Sequence, residues 1–173
     1  MTGARDLVTI DGLPLHPLVV HAVVVLLPLS AVGAVLIALR PAWRRRYGGL
    51  VAVLAVLGVA AVPVAQQTGE QLEARLAALQ NPLIAQHAQL GATLLPYGIV
   101  FSVLVLALVL IGRLADRGLP VTDGAAPGRK PWRVLLVVVA VLAVLSGVVT
   151  TVQVVRIGHS GSTAVWDGVA GTP

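Results

Sequence analysis

Four stretches of this chain are long and apolar enough to cross a lipid bilayer, and that leaves few folds open to it. The run from Pro17 to Leu39 holds no Asp, Glu, Lys or Arg over 23 residues. At 1.5 Å rise per residue it spans about 34 Å as a helix, enough for a hydrocarbon core of about 30 Å. Three further runs, at about residues 48–66, 90–111 and 134–157, have the same character, with Arg156 the one charged residue among them. Val is abundant, yet an isolated strand cannot satisfy its backbone groups in lipid. Continuous apolar runs also lack the alternation that a barrel strand needs. The sequence therefore predicts an all-α membrane protein. It would be a bundle of four transmembrane helices forming a single domain over residues 1–173, with residues 112–133 as a cytoplasmic linker.

The charge count agrees. Only 11% of residues are charged, against about 25% in soluble domains, so there is too little polar surface to cover a soluble globule. The net charge of +5 comes from 12 scattered cations, which make no phosphate-tracking groove, so no nucleic acid is expected as a partner. The chain has no Cys, which excludes disulfides, iron–sulfur ligation and thiol chemistry. Residues 1–16 set Arg5 against Asp6 and Asp11 and so lack a positive n-region. The run that follows exceeds an h-region of about 7–15 residues, so it is expected to be kept as a helix.

Nine of the 12 basic residues lie in two loops: Arg40, Arg44, Arg45 and Arg46 after the first span, and Arg113, Arg117, Arg129, Lys130 and Arg133 between the last two. Under the positive-inside rule these loops are cytoplasmic, and both termini and residues 67–89 face outward. Trp43, Tyr47 and Trp132 suit the interface on the basic side. Pro28 predicts a kink in the first helix, and Pro96 lies one to two turns into the third. After Gln67, Leu72, Leu76 and Leu79 recur at helical spacing until Asn81–Pro82 breaks the run. That pattern predicts a short amphipathic helix between spans two and three.

With this topology all four histidines fall at the outer end. His16 and His21 start span one, His87 precedes span three and His159 follows span four. Glu70, Gln66 and Gln67 stand at the same level. Imidazole is a common metal ligand, a carboxylate can complete a zinc or copper site, and haem iron takes axial His. The cluster therefore makes His21 and His87 candidate cofactor ligands, and His16, His21, Glu70, His87 and His159 a candidate metal set for haem b, zinc, copper or iron. The plain alternative for each is structural. His16 would cap its helix, His21 and His87 would hydrogen-bond neighbouring helices, His159 would sit in a Gly-Ser turn and Glu70 would cap a surface helix. No HExxH or other ligand-spacing signature is present. Ser146, Thr150 and Gln153 share one face of span four and suit interhelical hydrogen bonds.

The segment Leu15-His16-Pro17-Leu18-Val19-Val20-His21 resembles the opening of a bacterial membrane-protein family of unknown function, domain of unknown function 2231. The resemblance continues through Thr68-Gly69-Glu70, His87, Gly158-His159-Ser160-Gly161-Ser162 and Ala164-Val165-Trp166, and so covers about residues 13–166. It implies a four-helix unit of the bacterial inner (plasma) membrane. Some relatives look fused to, or encoded beside, haem-containing or other redox modules. The resemblance implies no reaction, and no catalytic residue is expected.

Three functions compete. The first, taken as the main expectation, is a protein that binds haem or a transition metal through the histidine cluster and serves electron transfer with a redox or other membrane partner. The second is a structural or accessory subunit whose histidines tie the outer end together without a cofactor. The third is a small transporter or proton-linked sensor, which the nearly uncharged span cores disfavour. Membrane lipids are partners under all three, and the sequence is compatible with a homo-oligomer.

Overall fold

The computed structural model describes residues 8–117 and 129–167, with side chains from Trp132 onward in the second segment. The chain opens with a hairpin, β1 (Thr9–Ile10) paired antiparallel with β2 (Leu13–Pro14). Five α-helices follow: α1 (Leu15–Leu39), α2 (Pro41–Leu76), α3 (Pro82–Ala92), α4 (Leu94–Asp116) and α5 (Arg129–Trp166). A single 3-10 turn at Ala77–Leu79 follows α2. Among the described residues four helical stretches are long and apolar enough to cross a membrane: Leu15–Leu39, Pro41–Leu79, Pro82–Asp116 and Trp132–Trp166. The protein is a multi-pass membrane protein.

The helices form a square bundle. α1 packs on α2 and α5, and α4 packs on the same two, so α1 and α4 lie across one diagonal. Phe101, Leu27, Ile37, Leu108, Val62 and Val105 are fully buried at the centre. Gly147 on α5 makes room for Phe101: a Cβ there would stand 2.9 Å from the ring. Outward faces carry exposed Val and Leu, as at Val137, Val141, Leu145, Val148 and Val152 of α5. These residues recur every three or four positions and form one lipid-facing stripe.

The expected separate amphipathic helix is corrected by the structure, since that segment is the last part of α2. Nothing between Gln67 and Leu76 interrupts helical hydrogen bonding. The Thr68 hydroxyl donates back to the carbonyls of Val64 (2.8 Å) and Ala65 (3.1 Å) and stays within the helix. At 36 residues, α2 is about 54 Å long and outruns a hydrocarbon core of about 30 Å. The 3-10 turn that extends it ends where Gln80 takes a left-handed conformation (φ 48°) and Asn81 caps α3, its Oδ1 accepting from Leu83 N at 2.9 Å.

The third span breaks where Pro96 dictates. Proline has no N–H for the carbonyl of residue 92 and its ring crowds that carbonyl. Accordingly α3 stops at Ala92 and α4 starts at Leu94, with Thr93 between them. The carbonyl of Gly91, near this break, accepts from Gln66 Nε2 at 2.9 Å. Thr93 Oγ1 accepts from Gln153 Nε2 at 2.6 Å. The break thereby anchors both α2 and α5.

Candidate functional site

The polar end of the bundle is built from the hairpin, the start of α1, the overhanging part of α2, α3 and the last turns of α5. Asp11 (φ 51°) and Gly12 (φ 79°) form the two-residue turn that lets the hairpin reverse tightly. Leu15 N donates to Val8 O (2.9 Å) and Val8 N donates to Gln71 Oε1 (3.2 Å). The hairpin thus sets where α1 begins and holds that start against α2.

His16 lies in the first turn of α1. Its Nδ1–H donates to the Ala65 carbonyl of α2 at 2.9 Å. The ring rests on Gly69, where a Cβ would come within 3.0 Å of His16 Cε1. His87 repeats the arrangement between α3 and α5. Its Nδ1–H lies 3.1 Å from the Ile157 carbonyl and 3.1 Å from Ser160 Oγ, and that hydroxyl itself donates to Ile157 O at 2.8 Å. The ring rests on Gly161, where a Cβ would come within 2.9 Å of His87 Cε1. A carbonyl only accepts, so Nδ1 carries the proton in both rings.

The two rings meet edge to face, with centroids 6.4 Å apart and planes at 79°. Both residues are half-buried. One contact therefore joins an α1–α2 seam to an α3–α5 seam. Asn81 Nδ2, donating to Ala164 O at 3.3 Å, ties the α3 cap to the end of α5.

The other candidates stand apart. His21 is exposed, and its Nδ1 faces the Pro17 carbonyl of its own helix. Glu70 is exposed on α2, and His159 is exposed on the face of α5 beside Leu83, Leu90 and Arg156. Among the described residues no group of three or more His, Cys, Asp or Glu could hold a metal ion. This overturns the expected haem or transition-metal site at His16, His21, Glu70, His87 and His159, and with it the electron-transfer reading. The physical reason is that two imidazoles converge and each spends Nδ1 on a helix carbonyl, while the three remaining donors point elsewhere.

Deeper in the bundle the polar groups serve packing. Ser102 Oγ donates to Ala55 O (3.1 Å), Thr150 Oγ1 to Tyr97 O (3.3 Å), and Ser30 Oγ to Leu27 O within its own helix (2.8 Å). Of the stripe on α5, Thr150 and Gln153 bond to other helices, while Ser146 Oγ turns back to Ala143 O at 3.1 Å. Sequence reasoning missed the seats of the two rings, Gly69 and Gly161. It also missed the hairpin, whose signal, Asp11-Gly12 between apolar residues, was present.

Residues 12–173 match the model of a family described as Predicted membrane protein (DUF2231). No curated protein and no solved structure matches the chain.

Proposed function

The chain belongs to the DUF2231 family of predicted membrane proteins, and on that premise we propose that it is a structural or accessory membrane subunit. Two of its histidines, His16 and His87, fasten one end of a lipid-embedded bundle and act there as structural groups. The observation that supports this is the commitment of His16 and His87. Each donates across a helix seam, to Ala65 and Ile157, and each packs against the other's ring. Polar groups inside membranes are expected to face partners in this way.

In this reading residues 1–173 act as one domain in a bacterial plasma membrane. Nine basic residues, at the helix ends and connections opposite the histidines, hold that end of the bundle in the cytoplasm, and the histidine end and both termini lie outside. Reporters fused after Pro173 and near Gly124 test the orientation: the first should be active only outside the cytoplasm, the second only inside. Reversed activities would overturn the orientation and leave the fastening role standing. The role itself is tested with His16→Ala and His87→Ala. Both should insert normally and melt earlier than wild type in detergent. Wild-type melting in both variants, or a proton flux in proteoliposomes that depends on the two histidines, would overturn it.

A further inference from the structure

The arginine-rich end of the bundle holds a second polar arrangement. Four arginines lie between residues 40 and 46, and three are engaged. The Arg40 guanidinium lies over the Trp43 ring at 5.1 Å, and that of Arg46 over the Tyr47 ring at 5.4 Å. Arg45 Nη1 pairs with Asp116 Oδ1 at 3.4 Å. Arg44 differs from all three. It is only 9% exposed, and its Nε is buried without a hydrogen-bond partner among the described residues.

Arg44 crosses from α2 onto Gly112 of α4. A Cβ on Gly112 would come within 2.9 Å of Arg44 Cδ and 3.1 Å of Cζ. The neighbouring Arg113 returns the crossing: its Nη2 would be 3.1 Å from a Cβ on Gly49 of α2. Two guanidiniums thus share one seam, each laid over a glycine of the opposite helix. Asp116 is the one carboxylate at this end among the described residues, and it is taken by Arg45. A buried guanidinium N–H without an acceptor is costly, and two like charges brought together add repulsion. Guanidinium also matches phosphate oxygens in geometry and charge.

We propose that the α2–α4 seam at this end is a phosphate-binding site formed by Arg44 and Arg113, and that its occupant is the headgroup phosphate of an anionic lipid in the adjoining leaflet. The seam lies level with the aromatic pair Trp43 and Tyr47, whose rings pack at 6.5 Å and belong to the type that sits at headgroup depth. Arg44 Nε is itself enclosed against Gly112, so a lipid phosphate at that level would accept from the outer Nη edge of the guanidinium and offset its charge beside Arg113. The proposal is independent of which leaflet faces the cytoplasm.

The test uses delipidated full-length protein in a non-ionic detergent. Thermal unfolding is followed while phosphatidylglycerol, phosphatidylcholine or inorganic phosphate is added. Phosphatidylglycerol should raise the melting temperature at lower concentration than phosphatidylcholine. Arg44→Gln should weaken that response about tenfold or more, as expected for a lost charge-assisted hydrogen bond. Arg40→Gln removes the same charge from a ring-stacked position and should leave the response near wild type. If Arg44→Gln fails to fold, Gly112→Ala keeps every charge, places a methyl group where Arg44 lies, and should give the same loss. Equal responses to the two lipids, or equal losses in Arg40→Gln and Arg44→Gln, would overturn the site. An Arg44-dependent response to inorganic phosphate alone would keep the site and overturn its lipid occupant.

Discussion

His16 and His87 are 71 positions apart in the chain and meet edge to face with ring centroids 6.4 Å apart. Neither ring is free to turn. Each is held by an Nδ1–H bond to a carbonyl of a different helix and each lies on a glycine. The contact therefore adds a direct link between the α1–α2 and α3–α5 seams.

Coupling of that kind is measurable with a double-mutant cycle. His16→Ala and His87→Ala should each destabilise the folded bundle by about 1–2 kcal/mol, combining a lost interhelical hydrogen bond with lost packing. The double variant should fall short of the sum by about 0.5 kcal/mol or more, because the ring–ring contact is lost only once. His21→Ala should cost less than either, since that ring is exposed and bonded within its own helix. Unfolding in mixed micelles gives all four values. Strict additivity would show that the rings touch without supporting each other.

The glycine seats give a sharper contrast within α5. A Cβ at Gly161 would meet His87 Cε1 at 2.9 Å, whereas at Gly158 there is nothing within 4 Å. Alanine favours helix over glycine by about 1 kcal/mol. Gly158→Ala should therefore be neutral or stabilising, and Gly161→Ala should lower the melting temperature by displacing the imidazole. The two variants carry the same chemical change one turn apart, so opposite signs isolate the ring contact.

How far the sequence could be read follows from the same residues. Hydropathy measures the solvent of a segment, so the apolar middles of the helices and their number were legible. The break at Asn81–Pro82 was legible too, and α3 starts there. The interruption at Thr93 ahead of Pro96 and the continuation of α2 past Gln67, where no breaker stands, were not. The meeting of histidines at one end followed from the alternation of spans. Which rings face each other did not, because helix rotation decides it. Five residues separate His16 from His21, and at 100° per residue their directions differ by about 140°. When His16 turns to α2, His21 is carried to another face of α1, away from the ring pair. The cofactor reading treated residues at one level as residues in one place, and that step failed. Charge counting had the same blindness at the other end, where it could not tell Arg44 from Arg40, Arg45 and Arg46.

The hairpin turn is a separable element. Gly12 has φ +79°, a region that a Cβ strains, although the space around it is open. Gly12→Val should therefore loosen residues 8–14 and free the Val8–Gln71 bond while leaving the core unchanged. Amide hydrogen exchange should rise at Leu15, whose N–H donates to Val8 O, and stay at wild-type levels around Phe101. Increased exchange through α4 would show that the hairpin is part of the bundle's cooperative unit.

The tightest side-chain link among the helices joins Gln153 of α5 to Thr93 at the α3–α4 break, at 2.6 Å. Gln153 is buried and Thr93 is exposed, so the two truncations are not equivalent. Thr93→Val removes the acceptor and leaves the Gln153 amide buried without that partner. Gln153→Leu removes the amide and leaves Thr93 Oγ1 with its bond to Leu90 O at 2.7 Å. Interhelical bonds in membranes contribute about 0.6 kcal/mol on average and about 1.7 at most, while an unsatisfied buried polar group costs about 1–3 kcal/mol. Thr93→Val should therefore destabilise more than Gln153→Leu, even though it alters the more exposed residue. The combined variant should recover most of the difference, because removing both partners leaves no orphaned group. Unfolding free energies of the three variants in one detergent decide the order. A larger loss in Gln153→Leu would show that the volume of that side chain, and not its hydrogen bond, holds α5 to the break.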